Sequence, residues 1–354
     1  MHLLICGPTA RATGNEWTMT DTTNPTTSSE IELTYRNAVS YAIAQEMRRD
    51  SSVLLLGEDV ANAGGVFKLT TGLLDEFGDQ RVFDTPISEQ GFLGAAMGAA
   101  MTGFKPIVEI MFSDFLAVCW DIVANQIAKT RYMTGGQVQV PLVIRSANGG
   151  GVGFGAQHSQ SVENWAMMIP GLKVVAPSTP ADVVGLLAAA IRDPDPVMFF
   201  EHKGLFATCG MVPTGIHIDT LGTARIVRQG SDCTIIALAA MVPVALSAAE
   251  QLASAGISAE VIDLRSLVPL DTKTIFDSVA KTARVFTVEE NPRLCGWGAE
   301  VVSQIVENQF FALDAPPTRI TTPHVPLSAS KTLEAAQIPS PQVVFSLISR
   351  ALNN

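Results

Sequence analysis

Short apolar runs that alternate with helical stretches constrain the fold of this chain more than any other feature. Thr34 can cap a helix that runs to about Arg49, and a second helix is predicted to start after Thr179 and Pro180. A longer helix is predicted over 114–132. The apolar runs lie at 53–56, 107–110, 142–145, 173–176 and 197–201. Strands separated by helices pair in parallel through right-handed crossovers, so we expect an α/β fold.

The chain is long enough for two domains. Its 354 residues exceed what one ordinary core accommodates. Residues 206–223 contain Gly, Pro and Thr without periodicity, which indicates a linker between a domain at 31–205 and a smaller α/β domain at 224–354. Residues 1–30 are predicted to be a disordered tail, because their second half is almost entirely Thr, Ser, Asn and Asp.

Charge and cysteine usage exclude several classes of protein. The formal net charge of -11 argues against nucleic acid or an acidic membrane as a partner. No apolar run in the sequence is long enough to cross a bilayer. Five scattered cysteines without a C-x-x-C pair favour a reducing compartment. We expect a bacterial cytoplasm, with a mitochondrial matrix as the alternative, since no Arg-rich presequence is visible.

One carboxylate stands at the start of a helix built from small residues. Glu89 is followed by a run of glycine and alanine from Gly91 to Gly103, which other elements can approach closely. Burying a carboxylate is costly unless a partner compensates it. Glu89 is therefore a candidate functional residue, although a helix-terminal acid favoured by the dipole is the simpler interpretation.

Other polar residues follow the predicted strands. Glu58 and Asp59 come after the run at 53–56, Glu109 lies near the end of 107–110, and a glycine loop starts at Gly149. In parallel sheets ligands bind beyond the carboxyl ends of strands, so these positions are expected to converge on one crevice. A solvated turn is the alternative for Glu58 and Asp59.

His158 is the best single candidate for proton chemistry. It follows the glycine loop, and imidazole can give or take a proton near neutral pH. An ordinary surface histidine is the alternative, and Phe115 is, by its spacing, a core residue. The sequence contains no Walker A, H-E-x-x-H or G-x-S-x-G motif, and its glycine loop fits only a loose dinucleotide pattern.

Several segments resemble the β subunit of thiamine-diphosphate-dependent 2-oxo acid dehydrogenases. The similarity runs in order from about residue 33 to the C-terminus, through the segments 57–60, 64–67, 84–91, 94–100, 109–115, 156–161, 170–175 and 190–193. The resemblance implies a parallel-sheet pyrimidine-binding domain followed by a transketolase C-terminal-like domain. It also implies an α₂β₂ heterotetramer that holds thiamine diphosphate between its chains, with Mg²⁺ and the diphosphate on the α chain.

The resemblance also implies roles for individual residues. Glu89 matches the glutamate that binds a pyrimidine ring nitrogen, and Glu58 matches a nearby acid in the proton network. Phe115 matches the aromatic residue that packs on the pyrimidine, and His158 matches a histidine near the reactive carbon. A potassium ion in some members is held by the positions of Leu142, Ala190, Ile191, Asp193 and Asp195. The second domain is implied to dock the lipoyl acyltransferase core of the complex.

We therefore predict the β subunit of a 2-oxo acid dehydrogenase, active only with its α chain. Pyruvate is the expected substrate, and the expected reaction is its decarboxylation followed by transfer of the acyl group to lipoamide. Acetoin is the close alternative because of Glu201, His202 and Lys203 and the segment 112–115; branched-chain 2-oxo acids come third. A split transketolase remains open but needs basic residues, of which Arg145 is the main candidate. A non-catalytic subunit is disfavoured because Glu89 and His158 are retained.

Overall fold

Two open sheets form the framework of the computed structural model, which describes residues 30–353. The strands are β1 (Glu30–Thr34), β2 (Val53–Gly57), β3 (Val82–Asp84), β4 (Lys105–Ile110), β5 (Val143–Asn148), β6 (Lys173–Val175), β7 (Val197–His202), β8 (Cys209–Pro213), β9 (Arg225–Arg228), β10 (Cys233–Ala237), β11 (Ala259–Asp263), β12 (Ser266–Val268), β13 (Val285–Pro292) and β14 (Thr318–Thr322). The predicted α/β class is confirmed.

Helices connect these strands. They are α1 (Tyr35–Arg49), α2 (Leu73–Phe77), α3 (Glu89–Met101), α4 (Leu116–Asp121), α5 (Thr130–Met133), α6 (Glu163–Met167), α7 (Pro180–Arg192), α8 (Met241–Ser254), α9 (Thr272–Thr282), α10 (Trp297–Gln309), α11 (Lys331–Gln337) and α12 (Pro341–Leu352). Within the described residues no helix is both long and apolar enough to cross a membrane.

The larger sheet has seven strands in the order β12-β6-β7-β5-β4-β2-β3. Its six strands between residues 53 and 202 pair in parallel, as predicted. β12 comes from the second domain and adds antiparallel to β6. The two domains therefore share one sheet, which ties the second to the first.

The smaller sheet has the order β14-β13-β10-β11-β9, parallel except for β9. A separate ribbon pairs β1 antiparallel with β8. β8 lies inside the segment predicted as a linker, so part of that segment is regular structure. Residues 1–29 of the predicted tail lie outside the described residues, and residue 30 already begins β1.

Two helix starts follow directly from their capping residues. The Thr34 side chain accepts a hydrogen bond from Asn37 N at the start of α1, and Thr179 does the same for Asp182 N at α7. Each such cap stabilises its helix by about 1 kcal/mol. α1 and α7 pack together, and Arg192 Nη2 lies 2.6 Å from Glu46 Oε1 across that interface.

The single helix predicted over 114–132 is wrong. Cys119 has non-helical angles (φ -122°, ψ 16°) that kink α4, and a π-helix follows at Ile122–Ile127 before α5 begins. Gly94 of α3 faces this segment, and a Cβ there would lie 4.0 Å from Ile122 Cδ1. The small residues of α3 thus permit close packing on one side, where Phe92, Leu93 and Ala96 are buried.

Candidate active site

Four neighbouring strands bring the predicted site residues to one edge of the larger sheet. β5, β4, β2 and β3 lie side by side and in parallel. Glu58 follows β2, and Glu89 begins the helix after β3. Phe115 follows β4, and His158 follows β5 after the glycine loop. Because the carboxyl ends of parallel strands share an edge, these four side chains lie on the same side of the molecule.

Glu58 and Glu89 are both buried although they carry carboxylates. Each is only 9 % exposed. Burial raises the pKa of Glu58, and the nearby charges of Glu89 and Asp59 raise it further. Glu58 Oε1 has no hydrogen-bond partner within the described residues. A buried oxygen without a partner costs about 1–3 kcal/mol, which a bound ligand could offset.

Asp84 fixes the loop that carries Glu58. Its carboxylate accepts hydrogen bonds from Ala61 N at 2.7 Å and from Asn62 N at 3.2 Å. These bonds lower the pKa of Asp84, although burial alone would raise it. Gly57 precedes Glu58 at φ 155°, where a Cβ would lie 2.8 Å from Glu109 O. The sequence placed Asp84 beside Glu89 but did not reveal this role.

Aromatic rings surround His158. Its ring stands edge-on to Phe112 at a centroid distance of 4.6 Å and to Phe115 at 5.4 Å. Phe67 and Phe154 both pack edge-on against Phe112, at centroid distances of 5.4 and 5.9 Å. These contacts fix the orientation of the imidazole. Phe115 is therefore not simply a core residue, since it is only partly buried and lies against His158.

Lys203 adds a buried cation to this cluster. Its Nζ lies 5.6 Å from the centroid of Phe112 and has no hydrogen-bond partner among the described residues. Burial lowers the pKa of Lys203 to about 8, against the opposing effect of carboxylates that include Asp114 and Glu290. The sequence alone linked Lys203 only to the choice between pyruvate and acetoin, because its position beside the aromatic rings depends on the fold.

Glu109 does not face a ligand. Its Oε2 lies 3.0 Å from Arg145 Nη1, and Arg145 also forms a two-point contact with Glu201 at 2.7 and 2.8 Å. Arg145 is completely buried. The expectation that Glu109 lines the crevice is therefore wrong, because its carboxylate pairs inside the sheet. Arg145 is likewise committed to two carboxylates rather than free for a sugar phosphate.

At the positions expected to hold potassium, the side chains of Asp193 and Asp195 form ion pairs within the chain. Lys173 Nζ lies 2.6 Å from both carboxylate oxygens of Asp193, and Arg131 Nη1 lies 2.5 Å from Asp195 Oδ1. Leu142 O and Ala190 O accept backbone hydrogen bonds from Val197 N and Asp193 N. Within residues 30–353 no group of three or more His, Cys, Asp or Glu side chains is arranged to hold a metal ion.

A large cavity lies elsewhere, between the two domains. Its volume is 810 Å³, and its lining includes Trp165, Leu294 and Val325. None of Glu58, Glu89, Phe115 and His158 contributes to it. Beside Glu89, the outer side of the Gly/Ala helix is exposed at Gly91, Ala95 and Gly98. The four predicted residues thus lie outside that cavity, and the exposed side of this helix lies next to Glu89.

Comparison with known proteins agrees with this architecture. The model of the transketolase pyrimidine-binding domain matches residues 31–208, and that of the transketolase C-terminal domain matches 222–344. A split-gene transketolase, described as an inactive beta4 tetramer, has a TM-score of 0.74 at 23% identity, covering 90% of this chain and 98% of that one. At that identity the likeness shows the fold alone.

Two curated relatives are closer in sequence. The acetoin:2,6-dichlorophenolindophenol oxidoreductase subunit beta of Bacillus subtilis (strain 168) is 47% identical over 328 residues, covering 89% of this chain and 96% of the relative. The pyruvate dehydrogenase E1 component subunit beta-1, mitochondrial, of Arabidopsis thaliana is 45% identical over 325 residues, covering 90% and 89%.

The fold, with its pyrimidine-binding and C-terminal domains in this order, defines a protein of the transketolase class. Within that class, the chain belongs to the family of β subunits that includes those of the pyruvate and acetoin dehydrogenases. The resemblance drawn from the sequence is confirmed. The roles of Glu58, Glu89, Phe115 and His158 stay predictions.

Proposed function

We propose that this chain is the β subunit of the thiamine-diphosphate-dependent component of a 2-oxo acid dehydrogenase, with pyruvate as substrate. The observation that carries the proposal is the pair of buried carboxylates, Glu58 and Glu89, at the edge of the larger sheet. Glu58 Oε1 has no partner in the described chain, as expected of a group that meets a ligand. Relatives named as pyruvate dehydrogenase β subunits support the substrate.

The residues fit one half of thiamine diphosphate. Glu89 would bind a ring nitrogen of the aminopyrimidine, and Phe115 would pack on the ring face. The bound cofactor supplies a nucleophilic carbon that adds to the substrate carbonyl and takes up electrons when the carbon–carbon bond breaks. In a site with little water, a charge-assisted hydrogen bond between Glu89 and this ring nitrogen would be strong because water does not screen it.

The remaining residues would handle protons. The raised pKa of Glu58 lets it keep a proton at a higher pH than an ordinary glutamate. His158, held edge-on by Phe112 and Phe115, would donate or accept a proton at the reacting end of the site during acyl transfer to lipoamide. Phe112 restricts the imidazole to one orientation.

A partner chain completes this site. We infer an α subunit that holds the diphosphate and Mg²⁺, in an α₂β₂ heterotetramer docked on a lipoyl acyltransferase core. The exposed Gly/Ala surface of α3 beside Glu89 supports close approach of another chain. The names of the relatives, each a subunit beta, support a multi-subunit protein. The bacterial relative supports function in a bacterial cytoplasm.

A potassium ion is part of the proposal at the C-terminal end of α7. There the carbonyls of Ala190 and Ile191 lie at the negative end of the helix dipole. Because Asp193 and Asp195 pair with Lys173 and Arg131, the ion would depend on backbone carbonyl oxygens. A rise in unfolding temperature in KCl, compared with NaCl at equal ionic strength, would support the site.

Acetoin is the second candidate substrate, favoured by the relative from Bacillus subtilis. The test is co-purification with the cognate α chain, followed by turnover assays with pyruvate, acetoin and branched-chain 2-oxo acids. Pyruvate-dependent acyl transfer to lipoamide supports the main proposal, and selective turnover of acetoin supports the second. Turnover of sugar phosphates without either activity would contradict both.

A further inference from the structure

The glycine loop that leads to His158 is held by the second domain. Glu334 of α11 accepts hydrogen bonds from Gly151 N at 2.9 Å and from Gly153 N at 2.8 Å, one on each carboxylate oxygen. Glu290, at the end of β13, accepts a third bond from Gly150 N at 2.6 Å. Two carboxylates from one domain thus accept hydrogen bonds from three backbone amides in a loop of the other.

The far side of the same segment is attached as well. Ser161 Oγ donates to Glu290 Oε1 at 2.8 Å, and Asn291 Nδ2 donates to Ser161 O at 2.7 Å. His158 therefore lies between two points of attachment to the second domain. Its ring contacts with Phe112 and Phe115 depend on how this segment is placed.

Backbone geometry requires glycine where the loop begins. Gly149 has φ 80°, and a Cβ there would collide with the His202 ring. His202 Nε2 in turn lies 2.8 Å from Glu290 Oε2. Burial alone would raise the pKa of Glu290, but His202 and the bonds from Gly150 and Ser161 lower it to about 2. The carboxylate is thus ionised whenever the protein is folded near neutral pH.

Glu334 is the less expected member of this arrangement. It is 1 % exposed, in a helix whose other residues are mostly at the surface. Burying a carboxylate in such a helix is costly unless it is compensated, and both of its oxygens are used by the loop. Hydrogen bonds from amides to an ionised acceptor are among the stronger ones in proteins.

We propose that Glu334 is a positioning residue, through which the second domain fixes the glycine loop and thereby the placement of His158. The inference rests on the proposed function for its kinetic part only. A displacement of about 1 Å in a reacting group can reduce the rate by roughly 100-fold. The placement of the second domain then reaches the reaction through the two bonds of Glu334, beside those of Glu290 and Asn291.

The test uses the complex with the α chain and two substitutions, Glu334→Ala and Glu334→Gln. Glutamine keeps one acceptor but turns an NH₂ group towards the second loop amide. A matched control is Glu260→Gln, a buried acid of the same domain that bonds Ser278 and Lys281 instead. Amide hydrogen exchange is followed on peptides spanning 149–161, together with kcat, KM and the unfolding temperature.

We expect amide hydrogen exchange in the loop to rise roughly 10- to 100-fold in Glu334→Ala, since both bonds to the carboxylate are lost. The rise should be smaller in Glu334→Gln, because glutamine keeps one acceptor. kcat should fall by roughly 10- to 100-fold with KM nearly unchanged. Glu260→Gln should leave both loop exchange and kcat as in the wild type. If Glu334→Ala does not fold, the nearly isosteric Glu334→Gln carries the test alone.

Faster loop exchange with unchanged kcat would overturn the proposal, as would a loss of kcat with unchanged loop exchange. An equal effect of Glu260→Gln would also overturn it, because the loss would then be a general effect on the domain. If the wild-type complex turns over none of the substrates, the proposed function fails, whereas loop exchange still shows whether Glu334 holds the loop.

Discussion

Two groups of buried acids stand at the carboxyl edge of the same sheet, and they differ in what compensates them. Glu109 and Glu201 share Arg145, which is wholly buried and bonds both carboxylates. Glu58 and Glu89 are buried beside each other, and Glu58 Oε1 has no partner in the described chain. Buried acids of one sheet are thus compensated in different ways.

This difference predicts which buried acids stabilise the fold and which are available to a ligand. Where the chain supplies the counter-charge itself, the acid serves the fold, and removing the counter-charge should unfold the protein. Where the chain supplies none, the acid is available to a ligand, and removing it should spare the fold. Burial or charge alone would have placed all four glutamates in one class.

The largest effect is expected at the compensated group. Arg145→Met leaves Glu109 and Glu201 buried without their cation, so the free energy of unfolding should fall by about 3–5 kcal/mol. Urea unfolding followed by circular dichroism measures it. Lys105→Met is the control, because the partly exposed pair of Lys105 with Asp50 should contribute less than about 1 kcal/mol. Equal losses in both variants would erase the distinction.

Asp263 offers an intermediate case at the interface of the domains. It is completely buried and accepts hydrogen bonds from Ser178 Oγ and Arg265 N. Burial first, and then the charge of Asp182, raise its pKa to about 7. The folded protein therefore holds a proton that the unfolded chain has released, and stability should fall as pH rises from about 4 to about 7.

Asp263→Asn removes the carboxyl group that binds this proton in the folded protein. The unfolding free energy of the variant should depend less on pH over this interval, by roughly 2–4 kcal/mol, when measured by urea unfolding at several pH values. Asp277→Asn, on the surface, should keep the wild-type dependence. A wild-type pH dependence in Asp263→Asn would show that Asp263 does not hold this proton in the folded protein.

The smallest effect on stability is expected at the uncompensated pair. Glu58→Gln removes a carboxyl group whose pKa is raised by burial and by Glu89, so the unfolding free energy should change by less than about 1 kcal/mol. Turnover of the complex should nevertheless fall by about tenfold, since a proton carrier is lost. A large loss of stability with unchanged turnover would make Glu58 a structural residue.

The sequence predicted those elements whose signals are local. α1 begins at the residue expected from Thr34, because a cap acts on an amide three residues away. β12 was missed because it has three residues and pairs with a strand some ninety positions earlier. The kink at Cys119 was also missed, since apolar periodicity continues through it. Short strands and π-helices depend on contacts with residues that are distant in the sequence, and no local sequence pattern contains these residues.

The site divides in the same way. Glu89 and His158 could be selected by residue type and by their place after predicted strands. The commitment of Glu109 to Arg145 could not, because its partners lie 36 and more positions away along the chain. The contacts of Glu334 with the glycine loop span 181 positions or more. A residue's own neighbourhood shows what it can do, and its distant partners decide whether it is free to do it.

The central claim is that Glu89 is an uncompensated acid that acts on a cofactor shared with another chain. The measurement is kcat of the Glu89→Gln complex with the α chain, at saturating thiamine diphosphate and Mg²⁺. Glu76→Gln, an exposed acid paired with Arg48, is the control. We predict a loss of roughly 10²–10⁴-fold with an unchanged unfolding temperature, and wild-type turnover in Glu89→Gln would contradict the account.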